Sequence, residues 1–400
     1  MLEKLQTRAF DQTIDSMLQA PADKQGTYHH LITGLDGSAK SIFIAELYKK
    51  NPRQLLIIEP NRNRRQALYD DLNALLPQNQ VLSFPCEENV ALEYSTASFD
   101  GIAQRVETLQ TLISGEKIIV VAGVNALRKR LMPIADWKDN QLILSLGCEI
   151  TRDDLERKLF NLAYQRVDMV QSPGEYSIRG SIIDYYPLNS EHPIRLDFFD
   201  TELDSIRYFD AQTQTSLENI NEVMLEPVKD ILFNQEKQLA VSESIKEAVS
   251  KQVSHLKDAD LVKTLSQRMN DQLEDLAKGG SLVLPEAFLS FYDTVGTSLL
   301  DYMEEGACLL VSEFDRVHQE ELHLIESDQF WIEDQINQGN LLPGQKLHLS
   351  AFDQIKGCQK RTVYLSLIQK GLGKMKFSSL HSFQYRSMTP FFNQMALVKP

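Results

Sequence analysis

Apolar and polar positions alternate with two different periods along this chain, and the change of period divides it. Residues 3–20 carry helical apolar spacing, and residues 28–33 (Tyr-His-His-Leu-Ile-Thr) read as a short strand entering a glycine-rich turn. A helix is predicted over about 41–50, a continuous apolar strand over 55–60, and a helix over 62–76 ended by Pro77. Strands at 81–85 and 117–122 flank a helix at about 100–114. Strands without alternation, separated by helices of this length, predict a doubly wound α/β unit whose parallel sheet is covered on both faces.

Near Leu142 the pattern changes. A helix at 151–163, with Thr151 as N-cap, precedes strands of period two, predicting a small α+β unit. In 194–199 (Ile-Arg-Leu-Asp-Phe-Phe), Ile194, Leu196 and Phe198 share one side, while Arg195, Asp197 and Phe199 share the other. Tyr176 and Ile178 likewise oppose Ser177 and Arg179, between Gly174 and Gly180. An aromatic side chain and two arginines on an outward face suit protein docking, because these residue types dominate interface hot spots. Ion pairs to Glu175, Asp197 or Asp200 would instead absorb the arginines, and a covering helix would bury Phe199. From about 229 the chain is helical again, with a break at Gly279-Gly280 and buried strands at 309–311 and 363–368.

Composition narrows the function classes. The net charge is −15, which argues against broad affinity for a nucleic-acid backbone. The basic runs Arg62, Arg64, Arg65 and Arg128, Lys129, Arg130 read as solvated helix faces or helix-end charges. No apolar run is long enough to span a bilayer and no signal-peptide core opens the chain, so a cytoplasmic protein without membrane contact is expected. The four cysteines lie far apart, fitting reduced and mostly buried thiols. The eight histidines show no ligand spacing, and no metal site is expected.

One motif carries phosphate chemistry. Gly34-Leu35-Asp36-Gly37-Ser38-Ala39-Lys40-Ser41 lies between a predicted strand and helix, the setting of a phosphate loop. Gly34, Gly37, Lys40 and Ser41 match the motif, but Ala39 stands where it needs a second glycine. A matching acidic box would be 308–315, where Ser312 replaces the magnesium-binding Asp, Glu313 remains and Asp315 replaces a His. With both elements degenerate, neither catalytic residues nor a bound cofactor are expected here.

The segments Gly174-Glu175-Tyr176, Arg179-Gly180, Asp184-Tyr185-Tyr186-Pro187 and Arg195 to Asp200 form a long signature, continued by Glu202, Asp204, Ser205, Arg207, Phe209-Asp210, Gln214 and Ser216. It resembles the N-terminal, UvrB-homologous module of the bacterial transcription-repair coupling factor family. The resemblance implies a degenerate RecA-like helicase lobe with an inserted α+β domain: domain 1a at 1–139, a UvrA-binding domain 2 at 140–228, and domain 1b with a C-terminal linker at 229–400. It implies that Arg179, Arg195 and Phe199 contact UvrA. The implied role is an adaptor that recruits UvrA to RNA polymerase stalled at DNA lesions, in nucleotide excision repair. The ATP- and magnesium-dependent translocase motor, and the contacts to polymerase and double-stranded DNA, would lie downstream, making these 400 residues a fragment. The alternative is a catalytically active UvrB-like ATPase and DNA-loading lobe. Against it, the region matching UvrB's tyrosine-rich hairpin, 84–94, holds one tyrosine and three glutamates, a poor base-stacking platform.

Overall fold

Continuous apolar strands become stable only when both faces of their sheet are covered, and that requirement organises the larger part of the molecule. The computed structural model describes residues 2–22, 26–87, 99–232, 235–255, 259–277, 285–293, 295–367 and 376–383. The hairpin-equivalent segment lies outside the described residues from 88 onward, as does the Gly279-Gly280 break. Seven strands form one parallel sheet: β1 His29–Thr33, β2 Leu55–Glu59, β3 Val81–Phe84, β4 Ile119–Gly123, β13 Cys308–Ser312, β14 Arg361–Ser366 and β15 Ser379–Ser382. Their order is β15-β1-β14-β13-β2-β4-β3. On one face Phe10, Phe43, Ile57, Val121 and Leu310 pack together. On the other, Leu56, Ile58, Val120 and Leu309 start a second core. Within β2 alone, Leu55 and Ile57 serve one core while Leu56 and Ile58 serve the other. That division explains why the strand shows no polar alternation. The protein is therefore a mixed α/β molecule built on a parallel sheet.

The second core continues into a six-stranded sheet of order β11-β10-β9-β8-β7-β6. Its strands are β6 Gln165–Arg166, β7 Glu175–Arg179, β8 Ile182–Tyr185, β9 Ile194–Phe199, β10 Glu202–Phe209 and β11 Ser216–Ile220. All pairings are antiparallel except β6 with β7. Tyr176, Ile183, Leu196, Phe198 and Ile206 point inward and meet Leu155 and Leu159 of the helix Arg152–Asn161. That helix starts at Thr151, whose side chain accepts the Asp154 amide. The chain enters this region through β5 (Leu142–Ser145) and leaves through β12 (Glu222–Leu225), which pair antiparallel as a separate ribbon. Period-two reading gave no sign of β5, β11 or β15, which are short or mostly exposed edge elements.

Beyond β12 the return is held by charge. Asp230 accepts Arg105 Nε at 2.6 Å and lies 3.7 Å from Lys129 Nζ. Here the expectation of a solvated basic run is corrected. Arg128, Lys129 and Arg130 are all buried. Arg128 pairs with Asp328 at 2.7 Å, and Arg130 donates to the Asp293 carbonyl. Their counter-charges come from distant segments, which a local count of charges does not register. The four cysteines are free thiols, with Cys308 and Cys358 buried and Cys86 and Cys148 half-buried; burial pushes the Cys308 thiol up to about 12. No helix among the described residues is long and apolar enough to cross a membrane.

Burial alone would raise the Asp230 carboxyl, but Arg105 and Lys129 outweigh it and hold the group at about 2, below 3.8. A folded-state pKa below the unfolded one stabilises the fold above the unfolded value and loses that contribution as pH falls through the folded one. Asp230→Asn is expected to cost about 3–5 kcal/mol near neutrality, because it strands two buried cations. In urea titrations, the stability difference between wild type and variant should be constant above pH 5 and shrink as pH falls from about 4 to 2.

Candidate docking face and phosphate loop

The outward face of the six-stranded sheet is built around one carboxylate. Cross-strand register aligns Ser177, Asp184, Arg195 and Arg207 in a row across β7, β8, β9 and β10. Arg179, Ile182 and Asp197 form the neighbouring row. Asp184 is fully buried and takes both predicted arginines. Arg195 Nε and Nη2 reach its two oxygens at 2.7 and 2.9 Å, a bidentate pair. Arg179 Nη2 donates to Asp184 Oδ2 at 2.5 Å.

The two arginines differ in access. Arg195 also donates to the Gln214 carbonyl at 3.3 Å and to its side-chain oxygen at 3.1 Å, and its guanidinium lies 4.3 Å from the centre of the Phe209 ring. Gln214 reaches on to the Val170 carbonyl. This end of the outward face is therefore covered, and its residues Ser177, Asp184 and Phe209 are buried too. Alternation assigned Arg195 and Ser177 to the correct side of the strands, but that side is wet only at its other end. Arg179 keeps 44% of its side chain exposed.

Phe199 is 76% exposed at the end of β9. The next residue, Asp200, has φ 60 and opens the hairpin to β10. Asp tolerates this left-handed conformation better than most residues with a side chain. Register puts Phe199 on the same face as Arg179, two strands across and two residues along, roughly 12 Å away by normal strand spacing. Asp197, between them, accepts Ser181 Oγ at 3.0 Å and Arg207 Nη2 at 3.3 Å. The open part of the face thus presents an aromatic ring and a braced cation over polar groups already paired. Neither Glu175 nor Asp200 takes the arginines. Their partner is Asp184, whose buried position depends on tertiary cover that strand alternation does not report.

The phosphate loop has its own geometry. Gly34 follows β1 with φ 84, and a β-carbon there would lie 1.9 Å from the Phe383 carbonyl oxygen. Gly37, with φ 51, precedes the helix Ser38–Lys50. The backbone amides of Ala39 and Lys40 donate to the carbonyls of Asp36 and Gly37, so the loop satisfies them itself. Lys40 Nζ meets Glu59 Oε1 at 2.6 Å, and Ser312 Oγ donates to the same oxygen at 2.6 Å. Ser41 Oγ donates to Asp71 at 2.7 Å. Glu313 takes φ 50 and turns its carboxylate to the Leu367 amide and the Ser366 hydroxyl, at the end of β14. The motif positions Lys40 and Ser312 do converge, but on Glu59, which no motif singles out. Beyond the carboxyl ends of β2, β3 and β4 lies a cleft of about 490 Å³. Arg62, Arg65, Asp100 and Glu320 line it, a mixture of signs unlike an anion funnel. No cluster of His, Cys, Asp or Glu suited to a metal occurs among the described residues.

Comparison with known proteins matches the region just described. The model of the UvrB interaction domain family covers residues 142–230. Over 372 residues, 93% of this chain, it is 33% identical to the transcription-repair-coupling factor of Bacillus subtilis strain 168, covering 32% of that protein. It is 32% identical over 378 residues, 94% of the chain, to that of Staphylococcus aureus strain MRSA252, again covering 32%. With that of Staphylococcus epidermidis strain RP62A it shares 29% over 390 residues, 96% of the chain and 33% of the relative. The chain spans about a third of the length of these relatives. Residues 142–230 thus match the UvrB interaction domain family, within a chain homologous along nearly all its length to part of the transcription-repair-coupling factors.

Proposed function

We propose that this chain is the UvrA-recruiting module of a transcription-repair coupling factor. Its docking site is the open end of the outward sheet face, with Phe199 and Arg179 as contacts and Arg195 holding the Asp184 carboxylate to which Arg179 is anchored. The observation that carries this reading is the exposed Phe199 ring on the same sheet face as an arginine already fixed by a buried Asp184. Immobilising long side chains costs entropy on binding, and a guanidinium held in place beforehand has lost most of it already. An aromatic ring and an arginine are also the side chains that concentrate binding energy.

In this reading residues 1–139 and 229–400 form a RecA-like lobe retained as scaffold, and residues 140–228 are the inserted docking domain. The scaffold carries out no catalysis and holds no cofactor, because its loop lysine and serine are turned onto Glu59 and Asp71. ATP, magnesium, double-stranded DNA and stalled RNA polymerase belong to further domains of the longer protein. The module's contribution is to link that machinery to UvrA at a lesion.

Titrating purified UvrA into the chain by calorimetry tests the docking face. Phe199→Ala should weaken binding by about 2 kcal/mol, roughly 30-fold. Arg179→Ala should weaken it about tenfold at a stability cost of about 1 kcal/mol or less, since its guanidinium is half exposed and Asp184 keeps the bidentate Arg195. Arg195→Ala should act differently. It should lower folding stability by up to about 3–5 kcal/mol as well as binding, because it removes the bidentate partner of buried Asp184 and leaves it only the half-exposed Arg179. Unchanged UvrA affinity in the folded Phe199→Ala, Arg179→Ala double variant would remove the proposed site.

A further inference from the structure

We propose that Glu59 occupies the position of a phosphate in the loop Gly34 to Ser41, and that its charge keeps the loop closed to nucleoside triphosphates and other polyphosphates. A phosphate loop works by offering an unpaired lysine, a hydroxyl and free backbone amides to an anion. Here the lysine, the hydroxyls and the amides that open the helix are already committed. Lys40 Nζ and Ser312 Oγ both sit 2.6 Å from Glu59 Oε1, and Lys40 Nζ lies 3.4 Å from Ser312 Oγ. The Ala39 and Lys40 amides are spent within the loop, and Ser41 is spent on Asp71. The chain supplies its own anion at the point where the motif's lysine ends.

Glu59 differs from an ordinary paired core carboxylate. It is fully buried, yet its second oxygen, Oε2, has no hydrogen-bond partner. Both donors crowd onto Oε1. A buried carboxylate left with an unsatisfied oxygen is poorly served as a purely structural group. A polyphosphate entering this site would first have to take Lys40 from Glu59 and then lie against the carboxylate it displaced. Like charges a few ångströms apart in a dry site are strongly unfavourable. Removing the charge reverses the balance. With an isosteric amide at 59, Lys40 becomes a buried cation without a counter-ion, and an incoming phosphate is the natural group to neutralise it.

The position of Glu59 on β2, one strand from Ser312 on β13, also sets up the rival it must be tested against. In that rival Glu59 is a relocated acid that helps hold magnesium for a bound nucleotide. The two predict opposite effects of the same substitution. Wild-type chain, Glu59→Gln, Lys40→Ala and the Glu59→Gln, Lys40→Ala double variant are titrated by calorimetry with inorganic pyrophosphate and with ATP–magnesium. Circular dichroism checks folding. Wild type should show no saturable binding of either ligand. Glu59→Gln should bind saturably, at least about tenfold more tightly than the weakest affinity the wild-type titration would detect, a gain that weakens with salt and is absent from the double variant. Glu59→Met, which also removes the charge at similar volume, provides a second route should the amide fold poorly. Saturable ATP–magnesium binding by wild type, lost in Lys40→Ala, would overturn the proposal whatever the variants do. So would a folded Glu59→Gln or Glu59→Met protein with no gain over wild type. UvrA binding should be the same in wild type and Glu59→Gln, which separates this test from that of the docking face.

Discussion

A carboxylate removed from water must be met by a cation, and this requirement fixes much of the molecule. Glu59, Asp184, Asp230 and Asp328 are all buried, and Lys40, Arg195, Arg105 and Arg128 are drawn inside to meet them. The pairs sit at joints. Glu59 ties the phosphate loop to the end of β2. Asp184 joins β8 to β9 and to Arg179 on β7. Asp230 fastens the chain as it returns from the six-stranded sheet. Such pairs add little net stability over a well-packed apolar alternative, but losing one partner is costly. They therefore act mainly to hold particular segments in register.

The same device has opposite consequences at the two candidate sites. Around Asp184 one carboxylate holds two arginines, so the group retains positive charge, and Arg179 stays half in solvent. Pairing there prepares a surface for a partner. Around Glu59 one carboxylate takes one lysine and a hydroxyl, both out of solvent, and nothing cationic is left over. Pairing there closes a site. A chain with a net charge of −15 can thus keep a local cation available on one sheet while using up another inside the second.

Much of this was legible in the sequence. The unbroken apolar run of β2 announced a sheet covered on both faces, and Ile194, Leu196 and Phe198 took the inward side that alternation gave them. Phe199 was singled out by its residue type and period, and it is exposed. Arg195 marks the limit of such reasoning. Its side of the strand was right, but Gln214, reaching to Val170, closes over that end of the sheet. Arg128, Lys129 and Arg130 mark it again, since three adjacent cations look like a wet patch until their distant partners are known.

What the sequence determined by itself was period, chain direction and the face of each strand, because these depend on neighbours within a few residues. Tertiary structure alone decided which charge meets which. Lys40 and Ser312 are 272 residues apart, and Arg128 and Asp328 are 200 apart. Their meeting depends on the order of strands in the sheet and on the packing of helices over it, which no local pattern encodes. So Asp184 and Glu59, ordinary acidic residues in the sequence, become the groups on which the docking face and the closed phosphate loop turn.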